Sequence, residues 1–99
     1  MIYKSTRDIN SAPKSAAEII KQGLADDGGL FVPMSIPSLS ESEILDMCSD
    51  PYPVRAAKVL SKFLSDYTYE ELLSDCEEAY CEKSFVGGAA QLVHTYDNI

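Results

Sequence analysis

The chain has 99 residues, a hydrophobic fraction of 45% and a formal net charge of -8, because 16 Asp and Glu outnumber 8 Lys and Arg. This composition fits one small globular domain and is too apolar for an intrinsically disordered chain. The acidic balance argues against nucleic acid and against an anionic membrane surface as partners, since both bind through clustered Lys and Arg.

The first part of the chain predicts a strand and a capped helix. Residues 2–6 alternate apolar and polar side chains and include β-branched ones, as strands do. Ser15 and Glu18 have capping-box spacing, in which the hydroxyl accepts from the Glu18 backbone N–H and the carboxylate binds the Ser15 N–H. Apolar residues at helical spacing follow and end near Gly23. This apolar stripe consists of Ala16, Ile19, Ile20 and Leu24.

A turn and a second strand are predicted next. Residues 25–29, Ala-Asp-Asp-Gly-Gly, have the composition of a turn. Leu30, Phe31 and Val32 predict a buried strand, and Pro33 ends it because proline cannot donate to a sheet. The two short strands are candidates to pair with each other, in a register that the sequence leaves open.

A second capping box, Ser40 with Glu43, predicts a short helix after a Pro-containing extended segment. Its apolar side contains Ile44, Leu45, Met47 and Cys48. Pro51 disfavours a helical conformation at the residue before it, and Pro53 can open the next helix, which extends to about Leu64.

A third capping box, Thr68 with Glu71, opens the most regular amphipathic helix. Its apolar stripe consists of Tyr69, Leu72, Leu73, Cys76 and Tyr80. Acidic residues cover much of the remaining surface, namely Glu70, Asp75, Glu77, Glu78 and Glu82. After a break at Gly87 and Gly88, residues 92–96 alternate weakly and predict the start of a strand. The sequence therefore predicts an α+β fold: a small, mainly helical domain with three to four helices and two or three short strands.

The 3 cysteines and the one histidine do not have the spacing of a metal site. Structural zinc requires close ligand pairs, whereas Cys76 and Cys81 lie on a predicted helix at a separation that points them in different directions. We interpret Cys48 and Cys76 as core residues and His94 as a surface histidine, since free cysteine is among the most buried residue types. The cysteine count is low and odd, and the sequence has no segment typical of a signal peptide or a membrane span. These features predict reduced thiols in a cytoplasmic protein.

Two other sequence patterns are incomplete and do not predict a binding or catalytic site. Residues 26–29 lack the alternating oxygen ligands of a calcium loop and the lysine of a phosphate loop. Ser11 and Lys14 have the Ser-x-x-Lys spacing of some acylated-serine enzymes, but Pro13 disrupts the helix on which that pattern depends. We therefore assign no catalytic, cofactor-binding or metal-binding residue to this chain.

Several segments, taken in order, resemble the threonine synthase family. Residues 3–7, Tyr-Lys-Ser-Thr-Arg, resemble that family's Tyr-x-Ser-Thr-Arg opening. Residues 17–33, AEIIKQGLADDGGLFVP, resemble its helix and the Asp-Gly-Gly-Leu-Phe/Tyr-Val-Pro segment that follows. Residues 54–60, 70–80 and 92–98 resemble later parts of the same region. Asp8 is a departure, because many members have Gly at that position.

The resemblance implies that residues 1–99 are the N-terminal accessory domain of a longer enzyme. Members of the family bind pyridoxal phosphate through a lysine in a Gly-Pro-Thr-x-Ala-Phe-Lys-Asp type motif, which this sequence lacks. The lysines of this chain are outside any matching context: Lys4, Lys14, Lys21, Lys58, Lys62 and Lys83. We therefore interpret Ile99 as a fragment boundary, and we expect the fragment itself to bind no cofactor and to be inactive.

For the full-length enzyme, the resemblance implies a fold-type II pyridoxal-phosphate lyase. Such an enzyme converts O-phospho-L-homoserine and water to L-threonine and phosphate. The accessory domain is then expected to pack against the catalytic domain of the same polypeptide. A domain separated from that partner should expose apolar surface, and we expect this at part of residues 30–32 or at residues 92–96.

The alternative is a stand-alone acidic protein-interaction module. In that case the acidic face of residues 70–82 would recognise a basic partner. This hypothesis explains the net charge, but it leaves the family-like segments unexplained.

Overall fold

The computed structural model describes residues 1–8, 10–91 and 95–96, and within these ranges it contains two strands and four helices. The strands are β1 (Tyr3–Ser5) and β2 (Phe31–Pro33). The helices are α1 (Ala16–Gln22), α2 (Glu41–Met47), α3 (Tyr52–Phe63) and α4 (Tyr69–Ala79). The predicted small α+β fold is confirmed. The strand predicted at the C-terminus falls largely on residues 92–94, which lie outside the described residues.

All three predicted capping boxes are present and set the starts of α1, α2 and α4. In each, the N-cap hydroxyl accepts from the backbone N–H three residues later, and the glutamate there binds the N-cap N–H. The pairs are Ser15 with Glu18, Ser40 with Glu43 and Thr68 with Glu71. Helices as short as the 7 residues of α1 and α2 are marginal in isolation, so these reciprocal bonds help to define where they form.

The two strands pair as predicted, and the structure supplies the register. They run antiparallel, with Tyr3 opposite Pro33, Lys4 opposite Val32 and Ser5 opposite Phe31. The ladder continues on both sides, since the Met34 N–H donates to the Ile2 carbonyl at 3.0 Å. At the other end the Thr6 N–H donates to the Leu30 carbonyl at 2.8 Å.

The core lies between α3 and α4. Ala57 of α3 and Leu72 and Cys76 of α4 are buried there. Partly buried residues pack around them, namely Ala56, Leu60, Leu64, Tyr67, Leu73 and Tyr80. The predicted stripe of α4 thus faces α3, as its spacing requires.

Two long-range hydrogen bonds attach the N-terminal elements to this helical pair. The Tyr3 hydroxyl donates to the Phe63 carbonyl at 2.8 Å, which joins β1 to the end of α3. The Ala17 N–H donates to a carboxylate oxygen of Asp66 at 2.7 Å, which places an acidic side chain at the start of α1. That bond lowers the pKa of Asp66, because the N–H stabilises the charged carboxylate.

Three expectations about burial are wrong. Leu30 and Val32 are exposed rather than buried, because they project from the side of the sheet opposite the helices. Cys48 is also exposed, because it lies at the C-cap of α2, where its thiol donates to the Ile44 carbonyl at 3.4 Å. In contrast, Cys76 is buried as predicted, and His94 lies outside the described residues.

The apolar stripes of the two shortest helices are only partly buried. Ala16 is buried in α1 and Met47 in α2, while the other members of each stripe are partly or largely exposed. The exposed members are Ile20, Leu24, Ile44, Leu45 and Cys48. A helix of two turns contacts its neighbours through few positions, so the periodic pattern overestimates how much of it is covered.

Candidate functional site

A polar cluster forms where the end of β1 meets the turn before β2. At its centre is Ser5, a polar residue whose exposed fraction is only 3%. Its hydroxyl lies 2.8 and 2.9 Å from the two carboxylate oxygens of Asp27, so one proton is shared between them. The same oxygen accepts from the Arg7 backbone N–H at 3.2 Å. This buried hydroxyl therefore both donates and accepts a hydrogen bond.

Asp27 is held from three sides. The Gly29 N–H donates to a carboxylate oxygen at 2.8 Å, and the Arg7 guanidinium donates to the Asp27 backbone carbonyl at 3.0 Å. The Gly29 N–H, followed by the Ser5 hydroxyl, lowers the pKa of Asp27, because both stabilise the carboxylate. The charge of Arg7 acts in the same direction.

The two glycines after Asp27 have different roles in this turn. Gly28 adopts a φ of 76°, a left-handed conformation that glycine reaches without steric cost. Gly29 is buried, and a Cβ atom there would lie 2.2 Å from the Ser5 Oγ and 3.1 Å from the Arg7 backbone nitrogen. No side chain fits in that space. We call Ser5, Arg7, Asp27 and Gly29 together the strand-end clamp.

The strand-end clamp brings together the two most family-like segments of the sequence, which are more than twenty positions apart. Sequence analysis predicted the turn at residues 25–29 but did not predict the pairing of Ser5 with Asp27. No local pattern could have shown it, since the contact depends on the register of β1 against β2. The expected strand pairing would have brought the two segments close, without indicating which side chains meet.

The hydrogen bonds of the clamp fit a structural role. A general base works best with a pKa near the operating pH, whereas the pKa of Asp27 is shifted downward, away from that range. Ser5 is bonded to the carboxylate directly. The clamp therefore positions β1 against the turn, and its groups are arranged to stay charged and bonded.

A groove of about 350 Å³ lies between α2 and α3. It is lined by Leu39, Glu43, Asp46, Met47, Lys58, Ser61, Lys62 and Tyr69. Lys62 donates to a Glu43 carboxylate oxygen at 2.5 Å, and this bond, with the Ser40 cap, lowers the pKa of Glu43 to about 2. Lys58 donates to Asp50 at 2.6 Å. Both ammonium groups of the groove are thus engaged by carboxylates of this chain.

Lys58 and Lys62 of this groove, and Lys14 near β2, do not fit pyridoxal phosphate. A lysine that binds this cofactor must give up its proton, which requires a lowered pKa. The hydrogen bond to Asp50 raises the pKa of Lys58 instead. Lys62 is paired with Glu43, and Lys14 donates to Gln22 and lies 5.5 Å from the centre of the Phe31 ring. We therefore derive no reaction step through the cofactor from these residues, and the expectation that this chain contributes no site residue stays a prediction.

The described part of the chain has neither a metal-ligand cluster nor a membrane-spanning helix. No group of three or more His, Cys, Asp or Glu side chains is placed there to hold a metal ion. Burial, and secondarily the charge of Asp75, raises the pKa of the Cys76 thiol and so opposes the thiolate that a metal would bind. No helix among residues 1–8, 10–91 and 95–96 is long and apolar enough to cross a membrane.

The acidic residues of α4 and the segment after it are exposed, as the interaction-module alternative requires. They are Glu70, Asp75, Glu77, Glu78 and Glu82. Glu71 is different, because its carboxylate binds the Thr68 N–H at 2.8 Å and so caps the helix. An exposed row of charges on one helix is usually a solvated face, and it does not by itself define a site.

Comparison with known proteins gives a consistent result. The family model described as "Threonine synthase N terminus" matches residues 2–80. Threonine synthase from Corynebacterium glutamicum is 33% identical over 89 residues, which cover 86% of this chain and 18% of that protein. Threonine synthase from Escherichia coli is 38% identical over 61 residues, 62% of this chain and 14% of that protein.

The fold is also similar to a solved structure. The crystal structure of threonine synthase from Escherichia coli matches with a TM-score of 0.75 and 32% sequence identity. That match covers 80% of this chain and 18% of the crystallised chain. The chain thus spans less than a fifth of the length of these relatives.

Proposed function

Because this chain belongs to the threonine synthase N-terminal family, we propose that residues 1–99 form the amino-terminal domain of a longer threonine synthase. The joint match in sequence and in fold supports this: the family model covers residues 2–80, and 80% of this chain matches the fold of part of a solved threonine synthase. In this proposal the domain is a structural part of the enzyme, and the reacting groups are supplied by the remainder of the polypeptide.

The activity proposed for the complete enzyme is the conversion of O-phospho-L-homoserine and water to L-threonine and phosphate. Pyridoxal phosphate, bound by the catalytic domain, supplies the electron sink for that chemistry. The catalytic domain is the proposed intramolecular partner of this chain, and the proposed location is the cytoplasm. The domain alone is expected to be inactive.

What the chain itself contributes is a rigid N-terminal platform. The strand-end clamp fixes β1 against the turn, and the Tyr3 and Asp66 hydrogen bonds attach the sheet and α1 to the α3–α4 pair. A platform held in this way can position a neighbouring domain without touching substrate. Effects of its substitutions should therefore appear first in stability and only through stability in activity.

The test begins with the gene. We expect the reading frame to continue past the codon for Ile99 and to encode a Gly-Pro-Thr-x-Ala-Phe-Lys-Asp type segment. The complete product should release phosphate from O-phospho-L-homoserine, and replacing the lysine of that segment with alanine should abolish the release. A stop codon directly after Ile99, or a complete product without this activity, would contradict the proposal.

The acidic interaction module remains the second candidate, favoured by the exposed carboxylates of residues 70–82. Its test is reversal of charge at Glu77, Glu78 and Glu82. If a triple change to lysine removes a basic protein partner that the unmodified chain captures in cells, while thermal stability is unchanged, the module hypothesis is supported. If the catalytic activity described above is present and no such partner is lost, it is rejected.

A further inference from the structure

One face of the β1–β2 sheet has four exposed apolar side chains beside those of Lys4 and Thr6. Lys4 lies directly opposite Val32, and because side chains alternate along a strand, Ile2 and Met34 belong to the same face. The exposed fractions are 50% for Ile2, 63% for Leu30, 41% for Val32 and 44% for Met34. We call these four residues the outer sheet face.

The opposite face of the sheet is already covered. Tyr3 and Ser5 point inward and are buried, and the Tyr3 hydroxyl is bonded to the end of α3. A sheet of two short strands needs packing partners to be stable. Among the described residues, the hydrogen bond that joins the sheet to α3 comes from the inner side. The outer sheet face therefore has the composition of a surface that is buried in the complete protein.

This face is also held in a fixed shape. The strand-end clamp fixes the end of β1 and the turn before β2, and the close approach of Gly29 to Ser5 leaves little room for adjustment. A preformed surface loses less conformational entropy on association than a flexible one. Such a surface is suited to a permanent contact.

Other neighbouring pairs of exposed apolar residues, among those that the structure describes, come from one segment each. Ile44 and Leu45 are neighbours in sequence on α2, and Leu24 follows Ile20 of α1 by four positions, just beyond the end of that helix. Phe85 and Val86 are consecutive in the segment after α4. In contrast, the four side chains of the outer sheet face come from two paired strands. Isolated exposed apolar residues are common in soluble domains, and contiguous ones mark contact surfaces.

We propose that the outer sheet face docks against the catalytic body of the threonine synthase polypeptide. This inference rests on the proposed function. The matched part of the Escherichia coli structure is 18% of its chain, so most of such a polypeptide is available to cover the domain. The surface it presents to these four apolar side chains is aliphatic or aromatic, because polar groups packed against them would lose their hydrogen bonds to water without replacement.

The direct test is hydroxyl-radical footprinting of the full-length enzyme encoded by the complete reading frame. It needs no substitution, so folding failures cannot obscure it. We expect modification of Leu30, Val32 and Met34 to be several-fold slower than their exposure in the isolated domain predicts. Ile44 and Leu45, which have similar exposure on α2, serve as the internal control and should be modified at the exposed rate.

A pair of double variants gives an independent measurement. Val32→Glu with Met34→Glu places two charges on the outer sheet face, and we expect the Tm of the full-length enzyme to fall by about 5 °C or more. Ile44→Glu with Leu45→Glu makes the same chemical change on α2 and should leave Tm within about 2 °C of the unmodified enzyme.

The outcomes separate the docking proposal from the proposed function. If the full-length enzyme is active but residues 30–34 are modified as fast as Ile44 and Leu45, the docking proposal is overturned and the proposed function stands. The same holds if the two double variants have equal Tm. If the reading frame ends at Ile99 or its product is inactive, the proposed function fails, and the docking proposal fails with it.

Discussion

The hydroxyl of Tyr3 donates a hydrogen bond to the backbone carbonyl of Phe63 across 60 positions of sequence, at 2.8 Å. Tyr3 is buried, and burial, followed by the charge of Asp66, raises the pKa of its hydroxyl and keeps the proton in place. This bond satisfies a carbonyl near the C-terminal end of α3 that would otherwise lack a helical partner. It links the sheet to the core at one defined point.

Replacing Tyr3 with phenylalanine should therefore destabilise the domain by about 1 kcal/mol. The ring is kept, so packing is unchanged, and the loss comes from the Phe63 carbonyl left without its donor. Urea unfolding followed by circular dichroism measures the change. Tyr96→Phe is the matched control, because that side chain is exposed, and it should have no effect. Equal stabilities of the two variants would show that the bond contributes nothing.

Gly29→Ala should be more destabilising than Gly23→Ala. At Gly23 the cost of alanine is conformational, about 1 kcal/mol, because the φ of 81° is left-handed while the space around it is open. At Gly29 the added carbon would overlap the Ser5 oxygen at 2.2 Å, so the strand-end clamp must separate and the cost should reach roughly 2–3 kcal/mol. Parallel urea titrations of both variants decide the order. A smaller effect at Gly29 would mean that the clamp adjusts freely.

Elements that depend on local chemistry were predictable from the sequence. The caps at Ser15, Ser40 and Thr68 and the turn after Asp26 follow from residues within a few positions of one another, and the structure contains all of them. The burial of Cys76 followed from the regular stripe of α4. In each of these cases, the residues that predict the element lie close in sequence to the element itself.

Features that depend on distant contacts were not predictable. The Ser5–Asp27 pair requires the register of two strands, and neither residue carries a local signal for it. Val32 was predicted to be buried but is exposed, because hydrophobicity alone does not indicate which face of a strand its own domain covers. The other expectation for this segment, that part of residues 30–32 exposes apolar surface, holds at Leu30 and Val32, while Phe31 is half-buried.

The strand-end clamp should make stability depend on acid pH. The pKa of Asp27 is lowered in the folded state, so its contribution is fully present above the unfolded pKa of about 3.9 and is lost as the pH falls through the lower folded value. Asp27→Asn removes this titration. Between about pH 5 and pH 2.5, the Tm of the unmodified chain should therefore fall more steeply than that of the variant.

Asp26→Asn is the matched control for that experiment. Asp26 neighbours Asp27 but accepts from the exposed side chain of Gln22, outside the clamp. Its replacement should leave the slope of Tm against pH as in the unmodified chain. Identical slopes for all three proteins would show that Asp27 has the same pKa folded and unfolded, and the electrostatic account of the clamp would be wrong.

Thr68→Ala should lower the free energy of unfolding by about 1 kcal/mol. Its hydroxyl accepts from the Glu71 N–H at 3.3 Å, and the substitution leaves that donor uncapped at the start of α4. The control is Ser74→Ala, an exposed hydroxyl position within the same helix, which should be neutral or slightly stabilising because alanine favours helices. Circular dichroism at 222 nm during urea unfolding distinguishes them, and a loss at Ser74 as large as at Thr68 would argue against a capping effect.

Leu72→Ala should destabilise the domain more than Tyr3→Phe or Thr68→Ala. Leu72 is buried against Ala57 and Cys76 in a core that, among the described residues, contains no large side chain that is fully enclosed. A small core has few contacts to redistribute, so the cavity left by three missing carbons should cost about 2–4 kcal/mol, a large share of the stability of a domain this size.

Leu45→Ala is the matched control for the core substitution, because it removes the same atoms from an exposed position of α2 and should cost little. Urea unfolding of the two variants compares them directly, and Leu72→Ala should unfold at the lower urea concentration. If both unfold at the same concentration, the α3–α4 contact cannot be the main source of stability, and the sheet with its clamp would have to provide it.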